Sequence, residues 1–239
     1  MQFMRNIVDD SEIDDEVRIC IEYNIPLTSK RVDFIIAGAD KAGNENIVIV
    51  ELKQWQKAEV VADDMHYCVK TFITNTDRIV CHPSYQAYSY SCFLKNYSQS
   101  LTDESINLVP CAYLHNYQPE YRQTLSNPIY KEWFEVAPFF IKNEVAVFSD
   151  FVKKYITKKS SKGDLLYLID HGRLRPTKAL QDSLASMVKG NKEFMLLDEQ
   201  AVCFDMCLKT MSQCLKDRKK RTIIIQGGPG TGKSVLAIN

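Results

Sequence analysis

The chain has 239 residues, of which 45% are hydrophobic and 25% charged, and its basic and acidic residues balance at 30 each. This is the composition of an ordinary folded protein, with enough apolar material for a core. It excludes a disordered chain, and the absence of any long apolar run leads us to expect neither a signal peptide nor a membrane span.

The charge is unevenly distributed along the chain. Residues 1–150 carry 13 basic and 22 acidic side chains, net −9, whereas residues 151–239 carry 17 and 8, net +9. The asymmetry suggests two modules with different partners. The basic stretches 153–162 and 218–221 would contact nucleic-acid phosphates, or the two halves would simply attract each other.

The eight cysteines are scattered and form no C-x-x-C motif, and the chain has only four histidines. This pattern argues against a zinc site. Buried thiols in a reducing compartment are the better interpretation, so we expect a cytoplasmic protein.

Strand and helix signals alternate along the first module. Alternation and β-branched residues predict three strands that form a meander, with the third central in the sheet because it is almost continuously apolar. A helix and a fourth core strand follow. The predicted elements are strands at 17–24, 31–38 and 46–53, a helix at 84–98 and a strand at 108–117.

The second half is predicted to be mostly helical. A short amphipathic helix precedes a linker at 160–164, and the last helix is expected to begin with Asp198 as its cap. The predicted elements are helices at 148–159, 175–190 and 197–215, and a buried strand at 221–226.

The sequence GGPGTGKS at 227–234 fits the phosphate-loop pattern G-x-x-x-x-G-K-[ST]. Glycines let successive backbone N–H groups converge on an anion, Lys233 would reach the β and γ phosphates, and the Ser234 hydroxyl would complete a Mg²⁺ shell. We therefore predict an ATP site formed by Gly227, Gly228, Gly230, Thr231, Gly232, Lys233 and Ser234.

Only five residues follow Ser234. ATP hydrolysis also needs an acidic residue on a later strand and groups that position water. We therefore expect a fragment or a truncated product that does not hydrolyse ATP.

Two carboxylates and a lysine are predicted to converge at the end of the central strand. Glu51 and Lys53 are two apart and share a face of their strand, and Asp33 lies beside Glu51 if the two strands form a hairpin. Carboxylate oxygens suit Mg²⁺ or Mn²⁺, which would activate water against a phosphodiester, with the lysine steadying the charge. The alternative is an exposed ion pair.

This pattern resembles the PD-(D/E)xK nuclease superfamily, specifically its RecB-like branch, which carries Q-x-x-x-Y on the helix after the third strand. Gln86 and Tyr90 fit that motif, and the resemblance implies that they face the active site. Two features depart from the family. Val32 replaces the proline before Asp33, and the helix that usually precedes the first strand is expected to be absent or cut.

Several segments together resemble a bacterial family in which such a nuclease-like domain precedes a Schlafen-like DNA/RNA helicase domain. They are IPLTSKRVDFII, VIVELKQWQKAE, HPSYQAYSY, PCAYLHNY, RPTKALQDSLASMVKGN and GGPGTGKSV. Gln200 resembles the glutamine with which superfamily 1 helicases read adenine. The resemblance implies an α/β fold with a mixed sheet flanked by helices, divided into a nuclease-like domain (1–158), a helical linker (159–196) and the incomplete start of a P-loop NTPase (197–239).

Three functions follow from these patterns. The first is a Mg²⁺-dependent nuclease joined to an ATP-driven motor acting on DNA or RNA. The second is a nucleic-acid-binding module with a degenerate nuclease fold. The third is a regulatory NTPase whose acidic first module binds only protein.

Overall fold

The computed structural model describes residues 2–26, 28–61, 65–172, 196–229 and 231–238, and it is a mixed α/β protein whose mixed sheet is flanked by helices. Within those residues the strands are β1 (Arg18–Asn24), β2 (Arg31–Ala39), β3 (Glu45–Lys53), β4 (Ala58–Val60), β5 (Cys68–Ile73), β6 (Thr76–Cys81), β7 (Asn107–Leu114) and β8 (Phe139–Ile141). The helices are α1 (Gln2–Val8), α2 (Pro83–Tyr97), α3 (Gln99–Asp103), α4 (Arg122–Leu125), α5 (Lys131–Val136), α6 (Val145–Tyr155), α7 (Leu165–His171), α8 (Glu199–Asp217) and α9 (Lys233–Ile238). Two 3₁₀ turns lie at Pro119–Tyr121 and Pro128–Tyr130.

The main sheet has five strands in the order β1-β2-β3-β7-β8. The first three strands pair antiparallel, whereas β3 pairs parallel with β7 and β7 pairs parallel with β8. The predicted meander is therefore confirmed, and so is the central place of β3. Its apolar run is explained because β3 has a strand on each side and a packed layer on each face.

Helices cover both faces of this sheet. On one face, Phe34 and Val48 pack against α6 through Phe148 and Val152. On the other face, Ile35 of β2 and Ile49 of β3 pack against α2 and α7. The period-two alternation of these strands thus decides which residues lie under α2.

The helix that was expected to be absent or cut before the first strand is present as α1, which has seven residues. Helix α1 buries Met4 and Ile7 in the α6 layer. It contains no acidic residue and lies on the face opposite α2. Its amphipathic stretch is short, and it forms because α6 offers an apolar surface.

A second, three-stranded antiparallel sheet follows β3, in the order β4-β5-β6. None of these strands was predicted from the sequence. Helix α8 packs beside this sheet, where the buried carboxylate of Asp205 accepts a hydrogen bond from the backbone N–H of Tyr67 at 2.8 Å. The second sheet therefore fixes the position of α8.

The predicted buried strand at 221–226 is not formed. Among the described residues no strand pairs with this segment, and the side chain of Ile224 is 76% exposed. An apolar run becomes a strand only where a neighbouring edge accepts its backbone hydrogen bonds. The helix predicted at 175–190 lies outside the described residues.

Helix α7 begins directly after the predicted linker, with Asp164 as its cap, and its residues Leu165 and Ile169 belong to the layer under α2. The domain boundaries at 158 and 196 stay predictions. Of the helices that the structure describes, none has the length and apolar character needed to cross a membrane. All eight cysteines are free thiols.

Candidate functional site

Asp33 and Glu51 lie across from each other where β2 and β3 separate. Phe34 pairs with Val50 in the last antiparallel pair of the ladder, so one step further Asp33 faces Glu51. By alternation Glu51 lies on the α2 face, and the charge of Asp33 acts on it from nearby. The carboxylate of Asp33 accepts a hydrogen bond from the backbone N–H of Leu52 at 2.8 Å, where β2 supplies no backbone acceptor.

Glu51 is a buried carboxylate, only 3% exposed. Its Oε1 accepts a hydrogen bond from Lys53 Nζ at 2.6 Å, whereas its Oε2 is buried without a hydrogen-bond partner. Burial, reinforced by the nearby charge of Asp33, raises the pKa of Glu51 to about 8 although Lys53 opposes the shift. A buried oxygen without a partner is costly, so this site has the capacity to accept a cation or a proton.

Lys53 remains an ammonium in this setting. Burial alone would lower the pKa of Lys53, but pairing with Glu51 outweighs burial and raises it. The Lys53 side chain extends over the Trp55 ring, with Nζ 5.5 Å from the ring centroid. The site therefore holds the Lys53 ammonium next to the Glu51 carboxyl, whose pKa is about 8.

Helix α2 brings the two predicted residues of the Q-x-x-x-Y motif to the same place. Gln86 Nε2 donates to the Tyr90 hydroxyl at 3.0 Å, which places both on one helix face. Tyr90 is buried, and burial together with the charges of Glu51 and Asp198 raises its pKa. The tyrosine thus acts as a neutral hydrogen-bond donor beside the carboxylates.

Asp198 joins this site, although it was predicted only as the cap of α8. Its side chain makes no cap hydrogen bond, and its φ is +42°. Instead its Oδ2 accepts from the Tyr90 hydroxyl at 2.7 Å and pairs with Lys30 Nζ at 3.0 Å, while its Oδ1 is buried without a partner. Asp198 thus occupies the predicted N-cap position of α8, but its carboxylate makes no cap hydrogen bond because tertiary partners compete successfully for it.

The donor chemistry of the site fits a hard divalent cation. Asp33 and Glu51 supply carboxylate oxygens, and Mg²⁺ often takes only one or two carboxylates and keeps several waters. In the described part of the chain no group of three or more His, Cys, Asp or Glu side chains is spaced to hold a metal ion. The structure thus offers two carboxylates rather than a complete protein cage.

The glycine loop precedes α9, which begins at Lys233. Lys233 Nζ donates to the carbonyl oxygens of Gly227 and Gly228 at 2.9 and 2.7 Å, and the Thr231 hydroxyl donates to the Gly228 carbonyl at 2.9 Å. The lysine therefore folds back over the loop. Ser234 is exposed in the first turn of α9, and Gly230 lies outside the described residues.

Gln200 contacts this loop directly. Its Nε2 donates to the Thr231 carbonyl at 3.1 Å, and its Oε1 accepts from the backbone N–H of Leu197 at 3.0 Å. Gly232, with φ +81°, leaves room for Gln200, since a Cβ there would lie 2.3 Å from Gln200 Nε2. Both polar groups of this glutamine are thus engaged by the protein, and adenine recognition stays a prediction.

The fold and the two sites define a mixed α/β protein with a carboxylate cluster at the end of its central strand and a glycine loop next to α8. The chain matches no model of a known protein family, no curated protein and no solved structure. The resemblance to nuclease and helicase families therefore stays a prediction.

Proposed function

We propose that this chain is a Mg²⁺- or Mn²⁺-dependent nuclease-like domain followed by the ATP-binding loop of a helicase-type motor, and that it acts on DNA or RNA. The proposal is supported most directly by the environment of Glu51. Its carboxylate is buried at the end of the central strand, has one oxygen without a partner, and lies between Asp33 and Lys53.

Asp33 and Glu51 would hold the cation. A bound divalent cation supplies two effects, polarisation of the phosphodiester and a lower pKa for water. The Lys53 ammonium stabilises negative charge that develops on the phosphate. The Tyr90 hydroxyl, supported by the Gln86 amide, orients Asp198 at the edge of the site and would face the approaching strand.

A cleavage assay tests this proposal. The purified chain is incubated with labelled single-stranded DNA, duplex DNA and RNA, with Mg²⁺ or Mn²⁺ and with a chelator. We expect metal-dependent cleavage, and we expect Glu51→Gln and Lys53→Met to lose about 10²-fold or more of it, because each removes a charged group at the reacting centre. Glu59→Gln, an exposed acid on β4, is the matched control and should cleave normally.

Equal cleavage by wild type, Glu51→Gln and Lys53→Met would show that the carboxylate cluster is not catalytic. A second function, a binding module that does not cut, is favoured by the lack of a three-ligand metal group among the described residues. Such a module would bind nucleic acid with an affinity that falls as salt rises, and it would not cleave the strand with Mg²⁺ or Mn²⁺.

The nucleotide site is tested separately by titration with an ATP analogue that carries a fluorescent group on its ribose. Lys233→Ala should abolish saturable binding, because the loop lysine supplies the positive charge for the β and γ phosphates. Binding that survives Lys233→Ala would exclude the glycine loop as the nucleotide site.

A further inference from the structure

The glycine loop borders a cavity of about 670 Å³, a volume in the usual range of small-molecule sites. Two distant parts of the chain line it. Lys233 and Gln200 come from the C-terminal part, whereas Thr28, Ser29 and Lys30 come from the turn between β1 and β2. The first module therefore contributes a cation to the wall of the cavity that the loop borders.

The turn between β1 and β2 holds Lys30 in a defined place. The backbone N–H of Ile25 donates to the Lys30 carbonyl at 2.9 Å, and the backbone N–H of Lys30 donates to the Thr28 hydroxyl at 3.1 Å. The Thr28 hydroxyl in turn donates to the Ile25 carbonyl at 3.0 Å. These three bonds close the turn and fix the backbone position of Lys30.

The Lys30 ammonium pairs with two carboxylates at the start of α8. Asp198 Oδ2 lies 3.0 Å away, and Glu199 is the second partner. The Asp198 side chain is only 15% exposed, whereas that of Glu199 is 82% exposed. Without Lys30, both carboxylates would be uncompensated, and that of Glu199 lines the wall of the cavity that any anionic ligand would face.

We propose that Lys30 is a phosphate-binding residue of the nucleotide cavity, and that Asp198 and Glu199 compete with the phosphates of a bound nucleoside triphosphate for its ammonium. This inference rests on the proposed nucleotide site. A triphosphate carries more charge than either carboxylate and offers several acceptor oxygens, so it is an effective competitor for a lysine on the same wall.

The competition also connects the two candidate sites. Asp198 holds the Tyr90 hydroxyl beside Glu51, and it shares Lys30 with the cavity. A nucleotide that draws Lys30 away leaves the charge of Asp198 less compensated next to the carboxylate cluster. By linkage, whatever strengthens the Lys30–Asp198 pair weakens nucleotide binding, and the reverse also holds.

The test is the affinity of the 239-residue chain for the fluorescent ATP analogue with Mg²⁺, with unlabelled ATP and adenosine as competitors. Lys30→Met should raise the Kd for ATP about tenfold or more, the range of one charge-assisted hydrogen bond, and should leave competition by adenosine unchanged. Asp198→Asn keeps an oxygen for Tyr90 but removes one of the two carboxylates that hold Lys30, so it should lower the Kd for ATP about two- to fivefold. Lys131→Met, which removes an exposed lysine on α5, is the matched control.

The opposite signs of the two variants distinguish the proposal from a structural ion pair. If Lys30→Met and Asp198→Asn both weaken ATP binding, or if Lys30→Met weakens adenosine as much as ATP, the proposal is overturned. Circular dichroism shows whether Lys30→Met folds. If it does not, two other results test the proposal: Asp198→Asn should lower the Kd for ATP, and Lys30→Arg should keep the Kd of wild type. Failure of wild type to bind, or normal binding by Lys233→Ala, would instead overturn the nucleotide site itself.

Discussion

At the scale of single residues, the protein places ionisable groups where burial controls their protonation. Glu51 has its pKa raised to about 8 by burial, whereas His82 has its pKa lowered to about 4 by the same cause. Burial opposes the charged form in both cases, and that form is the anion of the glutamate and the cation of the histidine. The glutamate belongs to the candidate site, while the histidine caps the start of α2.

His82 is predicted to cause a loss of stability in acid. The ring is fully buried, with Nδ1 accepting from the Ser84 N–H at 3.2 Å and Nε2 lying 3.1 Å from the Leu125 carbonyl, which suits a neutral ring. The unfolded chain takes up a proton below its ordinary pKa of 6.5, and the folded chain does so only near 4. Stability from this group is therefore complete above pH 6.5 and is lost as the pH falls towards 4.

Urea unfolding at about pH 7.5 and about pH 5 measures this effect. His82→Asn keeps an acceptor for Ser84 and cannot be protonated, so the fall in the free energy of unfolding between the two pH values should be about 2 kcal/mol smaller than in wild type. Because all other titrating groups are common to both proteins, the difference isolates His82. An identical fall in both would contradict the assignment.

At the scale of elements, α8 is the piece that joins the parts of the molecule. Its first turn carries Asp198 and Gln200, which contact α2 and the glycine loop. Further along, Asp205 attaches the helix to the second sheet. The position of α8 thus sets the geometry of both candidate sites at once.

The Asp205 contact predicts a difference between two substitutions. Asp205→Asn keeps an oxygen for the Tyr67 N–H and removes the buried charge, whereas Asp205→Ala leaves that donor without a partner. We expect the alanine variant to be less stable than the asparagine variant by about 1–3 kcal/mol. Chemical denaturation measures the difference, and equal stability would show that the contact does not hold α8.

At the scale of the whole molecule, part of the charge asymmetry is resolved by contacts between the two halves. Lys153 pairs with Asp10 and Glu12, and Lys159 pairs with Glu16 at 2.8 Å. The basic stretch 153–162 thus lies against acidic residues of the first 150 positions. In the other basic stretch, 218–221, Lys219 and Lys220 are exposed.

The two basic stretches are therefore predicted to behave differently towards nucleic acid. Lys219→Glu with Lys220→Glu should weaken binding of a labelled oligonucleotide and reduce its salt dependence, because exposed lysines release counterions on contact with phosphates. Lys159→Glu with Lys162→Glu should change that affinity less than about twofold and cost about 1 kcal/mol of stability, the range of exposed ion pairs. Fluorescence anisotropy at two salt concentrations measures the affinities, and the reverse ranking would contradict the prediction.

Local sequence patterns predicted the strand meander, the helix after it, and the shared face of Glu51 and Lys53. These features are local, because a period of two in strands and spacings of four in a helix decide which side chains lie together. The hairpin formed by β5 and β6 was not predicted, because its turn at Thr74 and Asn75 lacks the usual glycine although both residues have positive φ.

Two contacts depend on tertiary packing alone. Asp198 contacts Tyr90, 108 positions away, and Lys30 lines the cavity beside the glycine loop. Tertiary packing also decided that the isoleucine run at 223–225 forms no strand among the described residues. No local pattern encodes these outcomes, because each depends on which distant surface meets the segment. A carboxylate at a helix start caps that helix unless a buried hydroxyl and an ammonium offer it stronger partners.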